Sequence, residues 1–132
     1  MKSYNEFASV PDSGIIVVEE GSLVRVYFDI TPWTPQPSPL DGEDYVAPDN
    51  QYVCENVDVC GREYGDVVSA IVNDRYSSDE VQAINANFIE AKDAQSDITD
   101  EKRAEYLSEY AAFQSWRKKA KTVAGAVIEL LN

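Results

Sequence analysis

A chain of 132 residues has the length of one domain, and its 44% hydrophobic residues suffice for a folded core without a metal or disulfide staple. Its 24 acidic and 11 basic residues give a formal charge of −13, which repels phosphate backbones and anionic lipid and argues against general nucleic-acid or membrane-surface binding. Residues 1–60 hold 11 of the acids and only two bases, so the N-terminal half carries most of the negative field.

The N-terminal part has the alternating pattern of a half-buried sheet. Residues 15–18 form an apolar segment, and the acid-glycine-serine stretch at 19–22 predicts a hairpin turn after it. The following segment alternates apolar and polar side chains with period two, which is typical of a strand with one buried face. Its apolar residues are Val24, Val26, Phe28 and Ile30.

A proline-rich loop at residues 31–50 separates this hairpin from a third predicted strand at residues 51–59, whose valines share one face interrupted by Glu55. The loop carries Trp33 and Tyr45, where core packing is least expected. Exposed aromatic side chains often anchor protein interfaces, so both are candidate partner-binding residues. The alternative is that the loop folds back and Trp33 plugs the sheet.

Helical periodicity begins at Tyr64, with Asp66 as a cap or first-turn acid, and this first helix is predicted to end near Arg75. Ser77 and Glu80 then form the capping-box pattern that opens a second helix. The predicted inner face of the second helix consists of Val81, Ile84, Phe88 and Ile89.

The last predicted helix is long. Thr99 can cap it, and nothing in the sequence interrupts it before Leu131, so it spans about 30 residues and roughly 45 Å. Its apolar stripe comprises Tyr106, Tyr110, Phe113, Ala120, Val123, Val127 and Leu131. Because such a helix overhangs a domain of this size, we expect its far end to bend back or to pack on another chain, including a second copy of this one.

These elements predict an α+β fold, with a small N-terminal antiparallel sheet of two to three strands followed by three helices, the last one long. We expect a single domain over residues 1–132. Residues 1–60 form its β-rich part, which includes the loop, and residues 61–132 form its helical part.

The side chains of common catalytic sites are missing. Histidine is absent, which removes the commonest general base and zinc ligand. Cys54 and Cys60 would lie about 20 Å apart on one strand, so we expect two reduced, half-buried thiols. The acidic residues 41–44 do not have the spacing of a calcium loop. We therefore expect no enzyme activity, no metal and no cofactor, and a protein partner instead.

A basic segment at residues 116–121 carries four of the eleven bases. Its candidate partner-binding residues are Trp116, Arg117 and Lys118. One interpretation is a docking site for an acidic partner or for the acidic N-terminal half of this chain. The alternative is a solvated face that balances Glu105 and Glu109.

Two motifs carry a resemblance to a known group of proteins. The helix start Tyr76-Ser77-Ser78-Asp79-Glu80 and the later pattern of Tyr110, Phe113, Trp116 and Arg117 lie within residues 64–124. This region resembles small proteins found among the tail genes of phages and prophages of gut bacteria, and it is similar to tail-fibre assembly proteins. The resemblance implies a non-enzymatic part of a tail, or a chaperone that binds a fibre protein. The functional residues that it implies for this chain are Trp116 and Arg117.

The leading hypothesis is therefore a phage tail-associated protein that binds a tail or fibre protein. The alternative is an acidic inhibitor that mimics DNA and binds a host nuclease or restriction enzyme, which would require carboxylates spaced like phosphates on one face. The sequence shows neither a signal-peptide pattern nor the ~20 apolar residues of a membrane span. We expect the protein in the bacterial host cytoplasm or in a virion.

Overall fold

The computed structural model describes residues 1–132 and contains one sheet and three helices. The strands are β1 (Lys2–Glu6), β2 (Ile16–Glu20), β3 (Leu23–Pro32) and β4 (Gln51–Val59). The helices are α1 (Tyr64–Arg75), α2 (Ser78–Lys92) and α3 (Asp100–Leu131). The α+β class, with a long last helix, is confirmed.

The prediction of two to three strands was wrong, because the sheet has four, in the order β1-β4-β3-β2, with every pair antiparallel. The unpredicted strand is β1, which pairs with β4 from Lys2 opposite Glu55 to Glu6 opposite Gln51. Its five residues do not alternate between apolar and polar side chains, so the sequence of β1 does not predict a strand. The strand forms because β1 pairs with β4. Because β1 and β2 lie at opposite edges, residues 7–15 carry the chain across the sheet.

The hairpin of β2 and β3 turns at Gly21, whose φ of 62° lies in the left-handed region that glycine adopts readily. The predicted loop begins later than expected, since Thr31 and Pro32 belong to β3 and pair with β4. Proline is tolerated there because β2 pairs with β3 only as far as Tyr27, so the side of Pro32 that faces away from β4 has no partner strand that needs an N–H donor.

One face of the sheet, called the inner face, packs on α1 and on the C-terminal half of α3. The strands contribute Val24, Val26, Phe28, Val57 and Val59 to this core. The helices contribute Val67, Ile71, Trp116, Ala120, Val123, Ala124 and Val127. The predicted alternation of β3 is thereby confirmed as far as Phe28.

A bulge ends this alternation. Asp29 has a φ of 51°, a conformation that aspartate tolerates better than most residues, and the register of β3 against β4 shifts between Phe28 and Thr31. Ile30 is therefore only half-buried, contrary to the pattern of the sequence.

The predicted helix starts are confirmed. The Ser77 hydroxyl accepts a hydrogen bond from the backbone N–H of Glu80 at 3.1 Å, and the Thr99 hydroxyl accepts one from Lys102 at 3.1 Å. In the first turn of α1, the Asp66 carboxylate accepts a hydrogen bond from the backbone N–H of Glu63 at 3.1 Å.

The helix α3 continues for 32 residues, and its two halves have different neighbours. Its C-terminal half lies on the sheet, whereas residues 100–112 pack against α2. We call α2 together with residues 100–112 the helical arm. Ile89 was wrongly placed on the inner face of α2, because it is 70% exposed, and Ala91 is the buried residue of that helix.

The two cysteines differ in environment. Cys54 is buried on the outer face of the sheet, where its sulfur lies 3.3 Å from the Asn5 amide nitrogen and 3.5 Å from the Ser3 hydroxyl. Cys60 lies just beyond the end of β4 and is exposed. The expectation of two half-buried thiols was therefore wrong for both residues, because Cys54 is fully buried. Both thiols are free.

Candidate interaction surfaces

The helices leave one end of the inner sheet face uncovered. This end, which we call the aromatic shelf, consists of Tyr4, Thr31, Trp33 and Val53 from three neighbouring strands and the start of the loop. The rings of Tyr4 and Trp33 lie 4.5 Å apart, centroid to centroid, at an angle of 52°. Tyr4 is nevertheless 54% exposed and Trp33 is 36% exposed.

The side chain of Trp33 does not plug the sheet, which was one of the two sequence-based alternatives. Its backbone N–H donates to the carbonyl of Gln51 at 3.0 Å, which extends the sheet pairing by one residue. Its ring lies on Tyr4 of the edge strand and does not enter the core. Sequence reasoning missed Tyr4, because it gave the first residues of the chain no strand.

The loop that follows Trp33 is organised by short-range hydrogen bonds. The backbone N–H of Ser38 donates to the Asp41 carboxylate at 2.7 Å, and the Tyr45 hydroxyl donates to the carbonyl of Pro35 at 3.3 Å. Tyr45 is therefore half-buried within the loop itself. The most exposed apolar side chains there are Leu40 (97%) and Val46 (84%), neither of which the sequence singled out.

A cluster of charges borders the aromatic shelf. Arg75 donates to Glu55 on the inner face at 2.9 Å, and its guanidinium lies 3.5 Å from the centre of the Trp116 ring. Lys119 donates to Asp29 at the bulge, at 2.8 Å. This second pair joins the basic segment to the acidic N-terminal half, which was one of the alternatives for that segment.

Trp116 lies in the core and not on the surface. It is buried, with 6% of its surface exposed, and its indole N–H donates to the carbonyl of Ile71 at 2.9 Å. Its ring also contacts Phe28, with 5.9 Å between the centroids. The candidate role of Trp116 in partner binding is corrected accordingly, since α1 and the sheet already occupy its surface.

Arg117 lies about 160° from Lys119 around α3, and Lys118 lies between them, about 100° from each. Arg117 and Lys118 are both exposed. Arg117 borders a groove of about 410 Å³ between the three helices. We call it the helical groove, and its apolar lining consists of Val68, Val72, Val81 and Phe113. The structure thus separates the five predicted site residues between a shelf, a loop, the core and a helix face.

The acidic side chains are distributed over the whole molecule. Asp58 lies on the outer face of the sheet, where it accepts a hydrogen bond from Arg25 at 2.8 Å that raises the pKa of Arg25. Glu55 lies on the inner face, and Glu19 on the edge strand pairs with Arg62. Further acids lie on each helix and in the loop.

Comparison with family models, with curated proteins and with solved structures finds no match to this chain. None of the three helices combines the length and the hydrophobicity needed to cross a membrane. No three cysteine, aspartate or glutamate side chains are grouped as they would be to hold a metal ion.

Proposed function

We propose that this protein is a non-enzymatic component of a phage or prophage tail, which binds a tail or fibre protein as a structural part or as an assembly chaperone. The aromatic shelf supports the binding role most directly. The tail assignment rests on the resemblance of residues 64–124. The absence of histidine from the sequence favours a binding role over acid-base catalysis.

The aromatic shelf has the properties of an interface anchor. The rings of Tyr4 and Trp33 contact each other at an angle of 52°, which limits their side-chain motion before a partner binds. Both keep ring surface exposed to water, and burying it against a partner is favourable by roughly 25 cal/mol per Å². Tyrosine and tryptophan are enriched among the residues that dominate binding energies.

The edge of the sheet adds a second element to this surface. β1 pairs with β4 on one side, and its other side faces no strand. An unpaired edge can accept an extended segment of another protein through backbone hydrogen bonds. A partner strand placed there would lie directly beside Tyr4, so the shelf and the edge form one continuous binding surface.

The test is co-expression of the protein with the tail and fibre proteins encoded beside it, followed by affinity co-purification and titration of any complex. Trp33→Ala and Tyr4→Ala should each weaken binding by about 2 kcal/mol, as expected for an anchor residue. Tyr64→Ala is the matched control, because Tyr64 is 45% exposed at the start of α1, away from the shelf. A chain that binds none of these proteins, or that turns over a substrate, would contradict the proposal.

The alternative function, a DNA mimic that inhibits a host nuclease or restriction enzyme, is supported by the charge of −13. Carboxylates on both faces of the sheet give it less support than a single row would. Binding to a restriction enzyme that weakens steeply with added salt, without any tail partner, would favour this alternative.

A further inference from the structure

Eight of the eleven basic side chains have a partner within the chain. Five of them form ion pairs, namely Arg25, Arg62, Arg75, Lys102 and Lys119. Arg103 donates to backbone carbonyls, and Lys2 and Lys92 lie over aromatic rings. The remaining three are Arg117, Lys118 and Lys121, which make no ion pair, hydrogen bond or aromatic contact.

These three residues are neighbours on α3. Steps of 100° per residue place Arg117, Lys121 and Lys118 within one arc of about 100°. All three side chains are exposed. Three neighbouring cations repel one another and do not stabilise the fold. The chain has 24 acidic and 11 basic residues, so acidic partners are plentiful, yet none pairs with these three. The structure therefore leaves an unpaired basic patch on an acidic protein.

The basic patch adjoins the helical groove, since Arg117 belongs to both. Phe113 is buried and forms part of the groove lining, whereas Val68, Val72 and Val81 keep part of their surface exposed. The groove volume of about 410 Å³ lies within the range of roughly 300–1,000 Å³ that is usual for binding pockets. The groove also has four polar lining residues, namely Ser69, Asn73, Ser78 and Gln82. Its apolar surface, with Arg117 at the rim, is complementary to apolar side chains with carboxylates beside them.

We propose that the helical groove is a second docking site, which binds an amphipathic segment of a partner protein whose acidic residues flank apolar ones. The apolar side chains would enter the groove, as in helix-in-groove recognition, and the carboxylates would pair with Arg117, Lys118 and Lys121. Nucleic acid fits less well, because the net charge of −13 repels its phosphate backbone. The site does not depend on the tail assignment or on the aromatic shelf.

The experiment uses the full chain and a yeast-displayed library of random peptides. Peptides are selected on the wild-type protein and counter-selected on the double variant Arg117→Glu/Lys121→Glu. The selected peptides are then synthesised, labelled and titrated by fluorescence anisotropy. Lys92→Glu/Lys102→Glu is the matched control, because it makes the same change in charge on the helical arm.

We expect the enriched peptides to combine Asp or Glu with apolar residues, and to bind the double variant at least about tenfold more weakly. Their affinity should fall as salt rises and should stay within about twofold in the Lys92/Lys102 control. Val81→Ser should also weaken binding while the protein stays folded, which circular dichroism checks. Trp33→Ala should leave the affinity unchanged, which separates this site from the aromatic shelf.

Three results would overturn the proposal. Selection could yield no peptide that distinguishes the wild type from the double variant, or it could yield peptides without acidic residues. A single-stranded oligonucleotide of about 20 nucleotides could instead bind the patch more tightly than any selected peptide, which would assign it to phosphate recognition.

Discussion

Trp116 joins three elements through one side chain. It belongs to α3, its indole N–H donates to the Ile71 carbonyl of α1, and its ring meets Phe28 of β3. The guanidinium of Arg75 lies over the same ring while it pairs with Glu55. Arg75 thus covers the edge of the core, because its planar guanidinium can both stack on an aromatic ring and donate to a carboxylate.

Replacing Trp116 by phenylalanine keeps an aromatic ring in the core but removes the hydrogen bond to Ile71 and leaves unfilled volume. We expect Trp116→Phe to lower the free energy of unfolding by about 2 kcal/mol, measured by urea denaturation with circular dichroism. Trp33→Phe is the control and should change it by less than about 0.5 kcal/mol, since Trp33 lies at the surface. Equal losses in the two variants would show that Trp116 is not part of the core.

The burial of a side chain could be predicted where apolar residues recur regularly along a strand or helix. It could not be predicted for a single residue at the edge of such a stripe. The alternation of β3 identified Val24, Val26 and Phe28 correctly. Trp116 lies at the edge of the helical stripe, where sequence alone does not tell a core position from a surface one. Its burial depends on the carbonyl of Ile71, 45 residues away, which periodicity along one helix does not reveal.

At the scale of elements, local hydrogen bonds fix where helices begin. In the capping box of α2, Ser77 accepts a hydrogen bond from the backbone N–H of Glu80 at 3.1 Å, and the Glu80 carboxylate accepts one from the backbone N–H of Ser77 at 3.3 Å. Both bonds lie within four residues, which explains why the sequence predicted this helix start without tertiary information.

Ser77→Ala removes the hydroxyl that satisfies one free N–H of α2. We expect it to lower the free energy of unfolding by about 1 kcal/mol, measured by urea denaturation. Ser78→Ala is a close control, because Ser78 is the next residue and its hydroxyl makes no capping bond. If Ser78→Ala destabilised the protein as much as Ser77→Ala, the capping box would not be the cause.

Elements that form only by pairing with a distant part of the chain were harder to predict from the sequence. β1 has no apolar face of its own and exists because β4 offers an edge for it. The bulge at Asp29 likewise arises from the pairing of β3 with β4, and it turns Ile30 away from the core. The aromatic shelf depends on both features, so only Trp33 of its members was a candidate from the sequence.

The whole molecule consists of a body and a helical arm with unequal packing. The body contains the sheet, α1 and the C-terminal half of α3, and it holds nearly all fully buried residues. In the arm, α2 has Ala91 as its buried residue and packs mainly on α3. A stack of Phe88 on Tyr110, with 3.7 Å between the ring centroids, is the main aromatic contact of the arm.

Because segments with few buried contacts open locally at a lower free-energy cost, the amides of α2 should exchange with solvent faster than those of β3. Phe88→Ala removes the stack on Tyr110, worth about 1.5 kcal/mol, and should speed exchange in α2 roughly tenfold while leaving β3 unchanged. Hydrogen exchange with mass spectrometry measures both. Ile89→Ala is the neighbouring control, because Ile89 is 70% exposed and contributes little. If exchange accelerated equally in α2 and β3, the arm and the body would unfold as one unit, and α2 would not open separately.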